Sequence, residues 1–151
     1  MSVREVSKDT DYWSHTEVDI RVNAVNCMGV MGKGIALEFK KRYPGMYYDY
    51  LTRCSKREIE PGGILAYRKE DVHILNAVTK YKWQEPSKYL WIALIACGLK
   101  HYLSIHPDKK VALPALGCGN GGLKYEVVKE IIIDELNDSC ADILLFPPWS
   151  K

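Results

Sequence analysis

Apolar residues along the chain alternate between short blocks of β character and longer stretches at helical spacing. Residues 3–7 and 18–25 predict strands, the second ending in a glycine-rich turn. Over 34–43, Ala36, Phe39 and Tyr43 recur at helical spacing, and Pro44 predicts the stop. A short second helix is expected over 46–54. Pro61-Gly62-Gly63 reads as a turn, followed by strands at 64–68 and 73–78 around the charged hairpin Lys69-Glu70-Asp71. The longest helical stretch is 87–105; its centre, 89–99, is almost wholly apolar and predicts burial between layers. A short apolar strand at 111–115 runs into a second glycine-rich loop. A helix is then expected over 124–136, and a last strand at 143–146 precedes Pro147-Pro148-Trp149.

Strand–helix alternation of this kind predicts the α/β class: an α/β/α sandwich around a mixed, mostly parallel sheet. With no repeat, low-complexity tract or linker, residues 1–151 read as one domain. Ligands of such sheets bind at the carboxyl ends of the strands, where both glycine-rich loops fall. A net charge of +2 is too small for bulk nucleic-acid binding but suits one local anion site. The run Lys40-Lys41-Arg42, with Lys56-Arg57 beyond, reads as a solvated helix face. No apolar run reaches the roughly 18 residues of a membrane span, so no membrane partner is expected. The N-terminal residues lack the apolar core of a signal peptide. Five cysteines without a CxxC pair argue against a disulfide framework or zinc site and for a reducing cytoplasm. The four histidines are scattered, and neither a metal nor a cofactor is expected.

The first loop, 26–36, holds Gly29, Gly32 and Gly34 and leads straight into a helix. Glycines let the backbone approach a ligand closely, and the helix start offers free N–H groups and a positive dipole end. The second loop, 116–122, repeats the arrangement with Gly117, Gly119, Gly121 and Gly122 between another strand and helix. Two such loops would clamp a diphosphate. A dinucleotide fingerprint is rejected because its GxGxxG should open the first βαβ unit. A Walker motif fails because Gly32-Lys33 is followed by Gly34 rather than Ser or Thr. Cys118 lacks the arginine six residues on that a cysteine phosphatase needs; Lys124 stands there.

The segment VNAVNCMGVMGKGIA, 22–36, resembles the macrodomain signature, and PALGCGNGGL, 114–123, resembles that family's second phosphate loop. GVMGKGIALEFKKRYP and the pair Thr79-Lys80 resemble the branch holding the DarG-type antitoxin macrodomains and the terminal ADP-ribose protein glycohydrolase. The resemblance implies a single ADP-ribose-binding macrodomain that acts as an ADP-ribosyl glycohydrolase. Its implied substrate is ADP-ribosylated DNA, linked through thymidine. It further implies that Lys80 attacks C1″ of the distal ribose, a role requiring an unprotonated amine, with Lys82 the nearby cation. Asn23 and Asn26 would orient ribose hydroxyls, Asn26 at the catalytic end, although Asn26 also fits a turn cap. Gly29, Val30, Met31, Gly32, Gly34, Ile35, Thr79 and the second loop (Leu116, Gly117, Cys118, Gly119, Asn120, Gly121 and Gly122) would hold the ligand. Asp9 is the better counterpart of the family's adenine-binding acid than Asp11, and Phe146, then Trp149, of its stacking aromatic. Trp83 and residues 81–86 would meet whatever is attached to ADP-ribose. One departure stands out: the protein glycohydrolase carries an acid/base aspartate where this chain has Gly121. Two alternatives stay open, an ADP-ribose-1″-phosphate phosphatase and a non-catalytic reader of ADP-ribose. A stand-alone monomer is expected.

Overall fold

A computed structural model of the chain describes residues 2–148. Within them the order is β1 (Val3–Glu5), β2 (Ile20–Val25), α1 (Gly34–Arg42), α2 (Pro44–Ser55), β3 (Ile64–Lys69), β4 (Val72–Val78), α3 (Tyr89–Ser104), β5 (Lys110–Pro114), α4 (Tyr125–Leu136) and β6 (Asp142–Phe146). The six strands form one sheet in the order β1-β6-β5-β2-β4-β3. All neighbours are parallel except β3, which pairs antiparallel with β4 through the tight hairpin. The sheet is therefore mixed and mostly parallel.

Period-two alternation along the central strands builds two cores. Val22, Ala77, Val111, Leu113, Ile143 and Leu145 point to one face, where α3 and α4 cover them with Ile92, Leu99, Val128 and Ile132. Val25, Val78, Ala112, Leu144 and Phe146 point to the other, under Phe39, Met46 and Tyr50 of α1 and α2. Strands buried on both faces read as continuous apolar runs, as these do in the sequence.

Pro44 does more than stop a helix. It is the first residue of α2, so α1 and α2 abut through Tyr43, and α2 begins two residues earlier than expected. Proline lacks only the N–H that a first helical position leaves unused. The α3 expectation is also corrected. Ile92, Ile95, Ala96 and Leu99 form its buried stripe, but Leu90 is 64% and Leu94 48% exposed. Over 89–99 the helix is apolar all round yet faces solvent on one side. Among the described residues no helix is long and apolar enough to cross a membrane.

Because β2, β4, β5 and β6 run parallel, their carboxyl ends share one edge. The segments 26–33, 79–88 and 115–124 emerge there together and are tied across one another. Cys27 N donates to Tyr81 O (3.0 Å), Thr79 N to Val25 O (2.9 Å) and Ser87 N to Gly121 O (2.9 Å).

Candidate active site

A cleft of about 500 Å³ opens among these three segments, within the range of small-molecule sites. The first loop contributes Val30, Gly32, Gly34 and Ile35, the second Gly117, Gly119, Asn120 and Gly121, and the strand ends Asn26 and Thr79. Helix α1 presents its N-terminus to the cleft without a side-chain cap and with no acidic residue in its first turn. Its free N–H groups and positive dipole end thus face the cavity. The second loop differs from expectation. Helix α4 starts only at Tyr125, and neither Lys124 nor Tyr125 lines the cleft. The second loop offers backbone rather than a helix dipole, because Leu123 N turns back to Gly117 O (2.9 Å) and closes it on itself.

Two glycines fix that closed shape. Gly117 has φ +75°, and a Cβ there would stand 2.9 Å from Leu123 Cδ1. A Cβ on Gly121 would lie 2.3 Å from Gly117 O, so no side chain fits in this conformation. A side chain such as the aspartate expected from the protein glycohydrolase is therefore excluded at Gly121 by the backbone itself.

Lys80 is the one cleft residue with a reactive side chain held in place. It is 8% exposed, and its Nζ donates to Trp83 O (3.1 Å) and Asn120 O (3.0 Å). Burial lowers its pKa from the ordinary lysine value, and the Lys33 charge lowers it further. Lys33, rather than the expected Lys82, is the cation that acts on it. The two carbonyls take two of the three N–H groups of the ammonium, or both N–H groups of the neutral amine, whose lone pair is then left over. The lining residues include no carboxylate and no histidine; their charged side chains are Lys33 and Lys80.

Asn26 is engaged in bracing the first loop. Its Oδ1 accepts from Met28 N (2.9 Å) and Tyr50 Oη (3.1 Å), and its Nδ2 donates to Val30 O (2.8 Å). Nδ2 keeps a second N–H at the cleft wall. Thr79 is pinned from behind by Ser87, whose buried Oγ donates to Thr79 O.

Other expected residues lie outside the lining. Asn23 is fully buried, donating to Asn76 Oδ1 (3.1 Å), while its own Oδ1 is buried without a hydrogen-bond partner. Met31 and Leu116 turn into the two cores, and Gly29 packs closely over Leu51. Cys118 Sγ approaches Leu116 O (3.6 Å), and burial pushes its thiol up to about 11, the opposite of an activated nucleophile. Gly122 is exposed at the outer turn. Asp9 sits at an exposed turn with φ +65°. Phe146 is buried edge-on against Tyr12 (4.9 Å) and pairs in register with the lining residue Pro114. Trp149 lies outside the described residues.

Sequence reasoning missed Lys33 and Ser87, while Gln84 falls in the expected segment 81–86. A lysine within a glycine loop was itself a signal for Lys33, obscured by the failed Walker match. Nothing in the spacing of Ser87 marks it. The basic run is a surface face as expected: Lys40 lies over the Tyr47 ring (4.6 Å) and Arg42 over Trp13 (4.2 Å).

The Macro domain family model matches residues 22–132. A DNA ADP-ribosyl glycohydrolase of Mycobacterium tuberculosis is 38% identical over 142 residues, 87% of this chain. This chain spans 39% of that relative's length. The solved macrodomain of Mycobacterium tuberculosis DarG superposes with a TM-score of 0.87 at 34% identity, covering 96% of this chain and 98% of that one. Thermosipho africanus DarTG in complex with ADP-ribose gives a TM-score of 0.82 at 28% identity, covering 90% of this chain and 39% of that one. Similarity to an ADP-ribose 1″-phosphate phosphatase of Meyerozyma guilliermondii is confined to 57 residues, 36% of this chain, at 39% identity.

Proposed function

The chain belongs to the Macro domain family, and from that premise we propose that it is an ADP-ribosyl glycohydrolase that frees ADP-ribose from DNA. The diphosphate lies between the two glycine loops, its charge met by the N-terminus of α1 and by Lys33. The distal ribose lies toward Lys80, where the remaining N–H of Asn26 orients a ribose hydroxyl. Asp9 and Phe146 serve the adenine end, Phe146 once the cleft fills beside Pro114.

The observation that carries this reading is the Lys80 amine, buried in a carboxylate-free cleft with both N–H groups of its neutral form accepted by backbone. Its lone pair attacks C1″. The bond from C1″ to the thymine nitrogen breaks, its electron pair leaves with the base, and the proton shed by the new glycosylamine passes to that base. Ring opening gives an imine that water hydrolyses, releasing ADP-ribose and returning the amine. Trp83, 45% exposed at the cleft wall, and the exposed Tyr81 supply aromatic faces for bases flanking the modified one. The unpaired cysteines suit a reducing cytoplasm, and we read the domain as a monomer.

The test runs wild type and Lys80→Ala in parallel on ADP-ribosylated DNA, ADP-ribosylated protein and ADP-ribose-1″-phosphate. Wild type is expected to release ADP-ribose from DNA. The variant loses release by several orders of magnitude while its calorimetric affinity for ADP-ribose changes only a few-fold. Full activity in Lys80→Ala sinks the lysine mechanism. Phosphate release alone would mark a phosphatase, and binding without turnover a reader.

A further inference from the structure

We propose that the rim of the cleft carries a track for the unpaired DNA strand around the modified base, running from Tyr81 past Trp83 to Lys88, Tyr89 and Trp91. The partner rests on the reading of the substrate as DNA; the surface is defined without it.

The segment follows Lys80 and crosses the mouth of the cleft. Cys27 N donates to Tyr81 O (3.0 Å), tying one end to the first loop, and Ser87 N donates to Gly121 O (2.9 Å), tying the other to the second. Between these ties Trp83 lines the cleft, and its carbonyl accepts from Lys80 Nζ (3.1 Å). The band continues onto the start of α3. There Lys124 N donates to Tyr89 Oη (3.0 Å) and holds that ring beside the second loop. Lys88 Nζ stands 5.0 Å from the centre of the Trp91 ring.

Four of the eleven residues 81–91 are aromatic, and Tyr81, Trp83 and Tyr89 keep their rings exposed. Apolar surface left in water and bordered by polar groups marks a place for a partner. Lys82, Lys88 and Lys124 form no ion pair among the described residues, and Glu85 is the one acid of 81–91. Helix α3 has no acid in its first turn, so its positive end adds to these charges. The basic run of α1 differs, because Lys40 and Arg42 are already laid over Tyr47 and Trp13. Aromatic faces interleaved with unpaired cations fit single-stranded nucleic acid, whose bases stack on the rings and whose phosphates meet the lysines. The linkage chemistry agrees. Thymine has two ring nitrogens, one already bound to deoxyribose, so ADP-ribose on the other blocks the pairing edge. The modified base therefore reaches Lys80 from an unpaired stretch of strand.

Fluorescence anisotropy with a labelled, unmodified thymidine-rich oligonucleotide tests the track in the full chain. The single strand is expected to bind at least about tenfold tighter than the duplex of the same sequence, whose paired bases offer no face to stack. Tyr81→Ala and Trp83→Ala each weaken the single-strand complex about five- to tenfold, the size of one lost stack. Lys82→Ala and Lys88→Ala each lower the slope of log affinity against log salt by about 0.7, the size of one lost phosphate contact. Lys41→Ala, in the basic run of α1, leaves both quantities unchanged. All five positions are exposed, so the variants fold. In steady state, kcat/KM is higher for an ADP-ribosylated oligonucleotide than for ADP-ribosylated thymidine. Leu90→Glu sets an acid on the exposed start of α3, where it suits the helix but repels phosphate. It lowers kcat/KM for the oligonucleotide and leaves that for the nucleoside in place. Equal affinity for single strand and duplex overturns the proposal. So does a loss in Lys41→Ala equal to that in Lys88→Ala, or equal kcat/KM on the two modified substrates. No release from either substrate defeats the glycohydrolase reading, while the anisotropy still judges the track.

Discussion

An amine held between two backbone carbonyls is positioned by atoms that substitution cannot remove, so the informative residue-level changes lie around Lys80. Its pKa is lowered by burial and by Lys33, and the reactive form is the unprotonated one. Release should therefore rise with pH, and its ascending limb should lie below the ordinary lysine value of 10.5. A pH–rate profile with no ascending limb below pH 10.5 would contradict this. Gly121 makes a second case. Introducing the acid of the protein glycohydrolase as Gly121→Asp should lower activity, because the new Cβ meets Gly117 O at 2.3 Å and forces the second loop open. We expect ADP-ribose affinity to fall at least about tenfold, as when close backbone approach to a phosphate is lost. Calorimetry checks it, and Gly121→Ala should lose nearly as much. Lys80 was visible in the sequence only through the resemblance, since burial and carbonyl partners arise from segments forty residues apart in the chain. Asn23 shows the converse. Its position at a strand end suggested the ligand, but period-two alternation turns it into the core against Asn76.

At the scale of elements, hydrophobic periodicity located the strands and helices well because both faces of the central strands are buried. Ends were less legible. Pro44 is compatible with ending one helix and opening another, and only the packing of Met46 and Tyr50 selects both. The outer face of α3 could not be read either, since Leu90 and Leu94 look like core in sequence and lie outside the layer that Ile92 and Ile95 fill. The segment that carries Lys80 depends on a tie that periodicity cannot reveal. Ser87, just ahead of α3, binds Thr79 O through its hydroxyl and Gly121 O through its N–H, closing 79–87 into a loop fixed at both ends. Ser87→Ala removes the first of these bonds in a buried setting and should cost about 1–2 kcal/mol. The loss should be local. Hydrogen exchange over 81–86 should accelerate, and kcat should fall more than affinity, because Trp83 O then orients Lys80 less firmly. Unchanged exchange there would show that the backbone bond alone holds the loop.

At the scale of the whole molecule, the cleft lies at the sheet edge where loops from both sides of the sheet meet. Both helix layers pack on the sheet, and the cleft is formed by three segments tied by backbone hydrogen bonds and by the side chain of Lys80. A ligand seated on all three adds contacts across that edge in the native state and has nothing equivalent in the unfolded chain. ADP-ribose at one hundred times its Kd should then stabilise the domain by about 2.7 kcal/mol. For a chain of this size each kcal/mol moves Tm by about 2–4 °C, so a rise of about 5–10 °C is expected in a thermal melt. Lys80→Ala should keep most of that rise, since its amine serves the reaction rather than the diphosphate. Gly121→Asp should lose it, since the second loop no longer closes. Equal shifts in both variants would place the diphosphate away from the second loop, and an unshifted wild type would remove ADP-ribose as the ligand.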